Sequence, residues 1–246
     1  MIKKRILIIG ATSTIAHECA RSFNNKYKCF FTLIGRNQIE LDKNKSDLLI
    51  RSKNSKVETM SFKSFDLAFI DALNLKLRKP YDLYILAHGI LIENDNLTMA
   101  KLSEANELNI NSYANLIFLI YERLKKLNKG HLVLFGSVAG DRGKQSNFWY
   151  GASKAYINNL FQGIDHDISV YNRSINLSII KPGPTLTKMT MHLPNAHKYA
   201  KVSDVASEIV KQIDLKKRVV YVPRRWRWIM LIIIHIPRFL FNILKI

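Results

Sequence analysis

The chain has 246 residues, a formal net charge of +19 and a hydrophobic fraction of 48%. That length suits one α/β domain with a large core, and two cysteines, Cys19 and Cys29, without metal-ligand spacing exclude a disulfide scaffold or a zinc module. The opening apolar run is too short for a signal peptide, and no recognised motif supports the nucleic-acid binding that charge alone suggests.

Residues 4–9 form a continuous apolar run, the pattern of a strand covered on both faces. Gly10, Ala11, Thr12, Ser13, Thr14, Ile15 and Ala16 follow, and a helical pattern runs to about residue 23. Strand, glycine turn and helix start make a setting for a pyrophosphate, because backbone N–H groups at a helix N-terminus attract anions. Only Gly10 of the fingerprint's three glycines is present; Thr14 and Ala16 hold the other two places. The Thr14 hydroxyl could hydrogen-bond phosphate instead, and an ordinary βα turn is the competing reading. Residues 28–34 read as the second strand and lead to Gly35, Arg36 and Asn37. No carboxylate stands there to accept from a ribose 2′-OH. The Arg36 guanidinium suits a 2′-phosphate, which favours NADP(H) over NAD(H), against the alternative of a solvated surface arginine.

A helix is expected over 39–51 and a strand over 57–62. Asp66 and Leu67 follow, with Asp66 a candidate N-cap for a helix starting near Phe69. Residues 81–86 form a fourth strand ending at Ala87, His88 and Gly89. His88 has no clustered ligand partner and reads as a packed or cofactor-edge histidine. A long helix spans 103–127 and carries Asn109 and Asn111. The strand at 131–135 leads to Ser137. Tyr150 and Lys154 are four apart and share one face of a helix reaching about residue 171. A strand at 174–180 precedes Pro182, Gly183, Thr185 and Thr187. Residues 186–200, with His192 and His197, form the least regular stretch. A helix over 203–212 with Ser203 as N-cap and a strand over 219–222 complete the order.

Ser137, Tyr150 and Lys154 carry a chemistry. A free phenol titrates near pH ~10, and a nearby cation favours its ionised form. The phenol then becomes a usable general acid toward a carbonyl oxygen, and a serine hydroxyl can hold the same oxygen. This spacing, with Gly-Ala-Ser inside the Tyr–Lys pair, resembles the short-chain dehydrogenase/reductase family. The resemblance covers residues 1–223 and implies a single α/β Rossmann-fold domain: a doubly wound parallel sheet of about seven strands flanked by helices. It makes Ser137, Tyr150 and Lys154 catalytic and gives Asn109, in preference to Asn111, a water relay to the lysine. It assigns cofactor contacts to Gly10, Thr12, Ser13, Thr14 and Ile15. It places Asp66 against the adenine, with Leu67 beside it, as the alternative to the N-cap. Ala87, His88 and Gly89 replace the family's Asn-Ala-Gly. Tyr150 and Lys154 meet the nicotinamide ribose, and Pro182, Gly183, Thr185 and Thr187 meet its carboxamide and the phosphates.

Residues 215–246 hold eight Lys or Arg and no Asp or Glu. Within 224–246 the apolar run from Trp228 to Ile234 is broken by His235, Pro237 and Arg238, and ~20 apolar residues are needed to span a bilayer. Trp226 and Trp228 among arginines have the character of an interfacial anchor. Anionic headgroups would attract each arginine by roughly 1 kcal/mol, with a kink near Pro237. An oligomer interface, in a homodimer or homotetramer, is the competing use. This tail, the degraded glycine turn and Ala87-His88-Gly89 together resemble the branch that includes decaprenylphosphoryl keto-pentose 2-reductases. That resemblance implies reduction by NADPH of a keto sugar on a polyprenyl phosphate, in surface-polysaccharide synthesis. It implies a cytoplasmic protein peripheral to the inner face of the membrane. The alternatives are a reductase of free lipid carbonyls (ketoacyl, steroid or retinoid) and a non-catalytic NADP(H)-binding protein.

Overall fold

Seven strands lie parallel in one sheet, in the order β3-β2-β1-β4-β5-β6-β7. They are β1 (Lys3–Ile9), β2 (Lys28–Gly35), β3 (Lys56–Ser61), β4 (Leu83–Leu86), β5 (Gly130–Phe135), β6 (Ile175–Pro182) and β7 (Val219–Val222). The computed structural model describes residues 3–52, 54–95 and 97–244. The ends of the chain expected in the first strand and the tail, Met1, Ile2, Lys245 and Ile246, lie outside the described residues.

The central strands are apolar along their whole length because both faces are covered. Ile6, Leu7, Ile8 and Ile9 alternate between two cores and are all at most 1% exposed. One core receives α1 (Thr14–Lys26), α2 (Gln38–Arg51) and α7 (Val202–Asp214). The other receives α3 (Leu67–Leu77), α5 (Ser112–Leu127) and α6 (Phe148–Val170). Cys19 and Cys29 are free and buried in the first core.

Several local expectations change. The predicted long helix begins earlier, as α4 (Met99–Asn106), and passes through a π turn at Glu107–Asn111 before α5. Ser203 is not an N-cap. Lys201 holds that place, and Ser203 lies inside α7 with its hydroxyl bonded to Asp204 at 3.2 Å. Strand β4 starts at Leu83 rather than Tyr81. The 224–246 segment forms two helices, α8 (Arg225–His235) and α9 (Arg238–Phe241), broken at Pro237. Among the described residues, no helix is long and apolar enough to cross a membrane.

Candidate active site

Two neighbouring constructions meet where β1, β4 and β5 end. The first is a cleft. Gly10 has φ +82°, and a Cβ there would stand 2.4 Å from the backbone nitrogen of His88, so only glycine lets the turn cross the end of β4. The turn enters α1 at Ser13, whose side chain makes no capping bond. The first N–H groups of the helix therefore remain directed at the cleft, which Gly10, Thr12, Ser13, Thr14 and Ile15 line. Arg36, Ala87, His88, Gly89 and Thr187 line it too. Arg36 is half exposed, and the Glu104 carboxylate stands 4.0 Å away, too long for a hydrogen bond.

Phe62, Phe65, Leu108, Lys188 and Met189 also line the cleft and were not anticipated. The two phenylalanines follow β3, where the apolar pattern merges with ordinary core. Lys188 reaches Glu40 at 3.2 Å and His192 reaches Glu93 at 2.7 Å. These exposed pairs pin the irregular 186–200 stretch beside the cleft. Each contributes little on its own.

Seven expected cofactor contacts do not line the cleft: Asp66, Leu67, Pro182, Gly183 and Thr185, and also Tyr150 and Lys154, which belong to the adjoining polar cluster. Asp66 caps α3, accepting from the Phe69 N–H at 2.9 Å and from the Ser64 hydroxyl at 2.5 Å. Leu67 is 81% exposed. The Thr185 hydroxyl donates back to the Gly183 carbonyl at 2.9 Å. Gly183 is covered by the Trp226 indole: a Cβ there would fall 2.0 Å from its Nε1. Pro182 is held in register with Val222.

The second construction is the polar cluster. Ser137 follows β5, and its hydroxyl lies beside the Tyr150 phenol on the first turn of α6. The Ala139 N–H donates to the same serine oxygen at 3.1 Å. Lys154, one turn further on, is buried and donates to the Phe135 carbonyl at 3.1 Å. Burial pushes the Tyr150 phenol up to about 12, and the neighbouring Ser137 hydroxyl works against that rise. Burial also draws Lys154 down to about 8. The phenol shows a net rise rather than the expected lowering because burial is the largest influence on it; the Lys154 ammonium turns to Phe135 and stands 5.7 Å from the centre of the Tyr150 ring.

The π turn directs Asn109 inward, where it is fully buried. Its amide pairs with Ile90, accepting from the N–H and donating to the carbonyl, both at 2.9 Å. Asn111 instead is exposed and donates to Glu107. A Cβ on Gly89 would meet Asn109 Oδ1 at 3.0 Å and Lys154 Nζ at 3.5 Å, so the cluster and the cleft adjoin at that glycine. His88 is stacked on Tyr113, with 4.1 Å between ring centres, and bonded to Ser112 at 2.8 Å. Burial first, then the Lys154 and Arg36 charges, hold it down near 3.

One further residue organises the cluster and had no signal in spacing. Asp141 accepts from Lys181 at 2.6 Å, Tyr221 at 2.8 Å and Asn158 at 3.1 Å, with its side chain 3% exposed. It ties the Ser137–Tyr150 connection to β6, β7 and α6.

A parallel sheet with its cleft at the strand ends where the order reverses, beside a buried Ser–Tyr–Lys cluster, defines a nucleotide-binding α/β fold of the oxidoreductase kind. The family described as short chain dehydrogenase matches residues 4–198, and the chain belongs to that family. It is therefore an oxidoreductase. An uncharacterized oxidoreductase of Mycobacterium tuberculosis is 25% identical over 96% of this chain and 95% of its own. A short-chain dehydrogenase from Sphingobium yanoikuyae, solved in complex with NADPH, is similar in structure, with a TM-score of 0.79 at 22% identity over 96% of this chain and 97% of that one. A bulky-bulky ketone specific alcohol dehydrogenase from Comamonas testosteroni has a TM-score of 0.77 at 20% identity, covering 96% and 95%.

Proposed function

We propose that the chain is an NADPH-dependent reductase of a ketone, carried by a sugar on a polyprenyl phosphate at the cytoplasmic face of a membrane. One observation supports this most: Ser137, Tyr150 and Lys154 are gathered beside a cleft that has an uncapped helix N-terminus and Arg36. The cleft suits a dinucleotide. The first-turn N–H groups of α1 would hold the diphosphate and Arg36 the 2′-phosphate. When bound, the nicotinamide supplies the hydride.

The remaining steps belong to the chain. The phenol of Tyr150 is protonated at neutral pH, as an acid must be, and donates its proton to the carbonyl oxygen as charge develops there. The Ser137 hydroxyl holds that oxygen. The ammonium of Lys154 stabilises the phenolate left behind. Asn109, fixed on Ile90 beside Lys154, orders the water that returns the proton.

The lipid carrier is supported by the basic, apolar helices that follow β7. They would rest on an anionic surface where such a substrate resides. A free apolar carbonyl would be served by the same face. NADPH oxidation measured with a keto-pentose on polyprenyl phosphate, against steroid, retinoid and ketoacyl compounds, separates the two. Turnover confined to the free lipids would reject the keto-sugar reading.

A further inference from the structure

The helices after β7 are fastened to the connection that separates Ser137 from Tyr150, and Arg142 makes the fastening. Its Nη1 donates to the carbonyl oxygens of Ile233, Ile234 and Ile236, the last at 2.7 Å. These lie at the end of α8, where helix geometry leaves acceptors open. The same guanidinium stands 3.7 Å from the centre of the Phe241 ring in α9. One side chain thus grips both helices.

The residues before it grip the catalytic cluster. Asp141 is locked by Lys181, Asn158 and Tyr221. Gly140 packs against the backbone of Lys154, where an added Cβ would lie 2.7 Å from the carbonyl carbon. A displacement of α8 therefore reaches Lys154 through three consecutive residues.

The outer face of α8 and α9 has no cover. Trp228, Ile232 and Phe239 are 65%, 68% and 72% exposed. Arg224, Arg225, Arg227 and Arg238 are exposed among them, with no Asp or Glu from 215 to 244. An apolar, cationic face suits an anionic bilayer. A second copy related by a two-fold axis would set the same arginines against one another.

Resting on the membrane reading above, we infer that seating of α8 and α9 on an anionic bilayer is transmitted through Arg142 and orders the Ser137–Tyr150 connection. Arg142 acts as a positioning residue. The test is hydrogen exchange by mass spectrometry on the full chain, on Arg142→Gln and on Phe241→Leu. Each is measured alone, with phosphatidylcholine vesicles, and with vesicles containing phosphatidylglycerol; flotation is run in parallel. The unaltered chain should float only with the anionic vesicles, and exchange across 138–150 should slow roughly fivefold, the gain of about one hydrogen bond. Both variants should float with α8 and α9 protected while 138–150 exchanges as it does without vesicles. Slowing that persists in both variants, or flotation of the unaltered chain without slowing, overturns the coupling. Variants that no longer float make Arg142 part of the docking face and overturn it as well. If the unaltered chain fails to float, the membrane reading itself falls. The two substitutions enter one contact from opposite sides, so a folding defect peculiar to either cannot produce the shared result.

Discussion

The Lys154 ammonium donates to the carbonyl oxygen of Phe135 at 3.1 Å and stands 5.7 Å from the centre of the Tyr150 ring. Burial holds this lysine down to about 8, so it is cationic below that pH and neutral above it. Stabilisation of a departing phenolate requires the cation. Ketone reduction should hold level below an apparent pKa near 8 and fall above it. A pH profile of kcat measures this. A rate that stays flat to the range of an exposed lysine would contradict the assignment.

Arg36 lines the cleft with no carboxylate in hydrogen-bond reach at Glu104. If it meets a 2′-phosphate, Arg36→Ala should raise the KM for NADPH by ~10–100-fold, the worth of charge-assisted hydrogen bonds. The KM for NADH should change little. Steady-state kinetics with both cofactors decide the point, and equal changes would remove the argument for NADPH.

His88 sets an acid limit on stability. Ser112 donates its proton to the Leu108 carbonyl at 2.6 Å and so accepts from His88 Nε2. A second proton on Nδ1 would find no partner among the described residues. The folded pKa near 3 lies below the ordinary 6.5, so between those values the unfolded chain takes up a proton that the folded chain refuses. Stability should therefore fall as pH drops from 6.5 toward 3. His131, near 4 when folded, adds to the same trend. The thermal midpoint followed against pH should lose part of its slope in His88→Gln.

Asp141 is the partner that makes a buried Lys181 tolerable. Removing it in Asp141→Ala leaves the ammonium unpaired and should cost ~3–5 kcal/mol. It should also loosen the connection between Ser137 and Tyr150. Urea unfolding gives the first quantity, and loss of less than ~1 kcal/mol would mean that water replaces the carboxylate.

Much of this arrangement was legible in the sequence, for identifiable reasons. Strands β1, β4 and β5 carry continuous apolar runs because both faces are buried, and the helical spacing of Tyr150 and Lys154 becomes a signal when joined to Ser137 and the Gly-Ala-Ser between them. The break at Pro237 follows from ring geometry. What stayed hidden depends on tertiary partners. Arg142 bonds backbone carbonyls, which leave no residue signature. Asp66 could serve a cap or a ligand, and the Phe69 N–H takes its carboxylate. Trp226 covers Gly183 only because α8 folds back on the end of β6. The π turn that turns Asn109 inward adds a residue within an unbroken helical pattern.

The acid role of Tyr150 is tested most directly by Tyr150→Phe, with NADPH binding and NADPH oxidation measured on the same protein. The substitution keeps the ring and removes the phenolic proton assigned to the carbonyl oxygen. Turnover with the keto-sugar lipid should fall at least ~10²–10⁴-fold, while NADPH still binds. Turnover that survives in Tyr150→Phe would contradict the account.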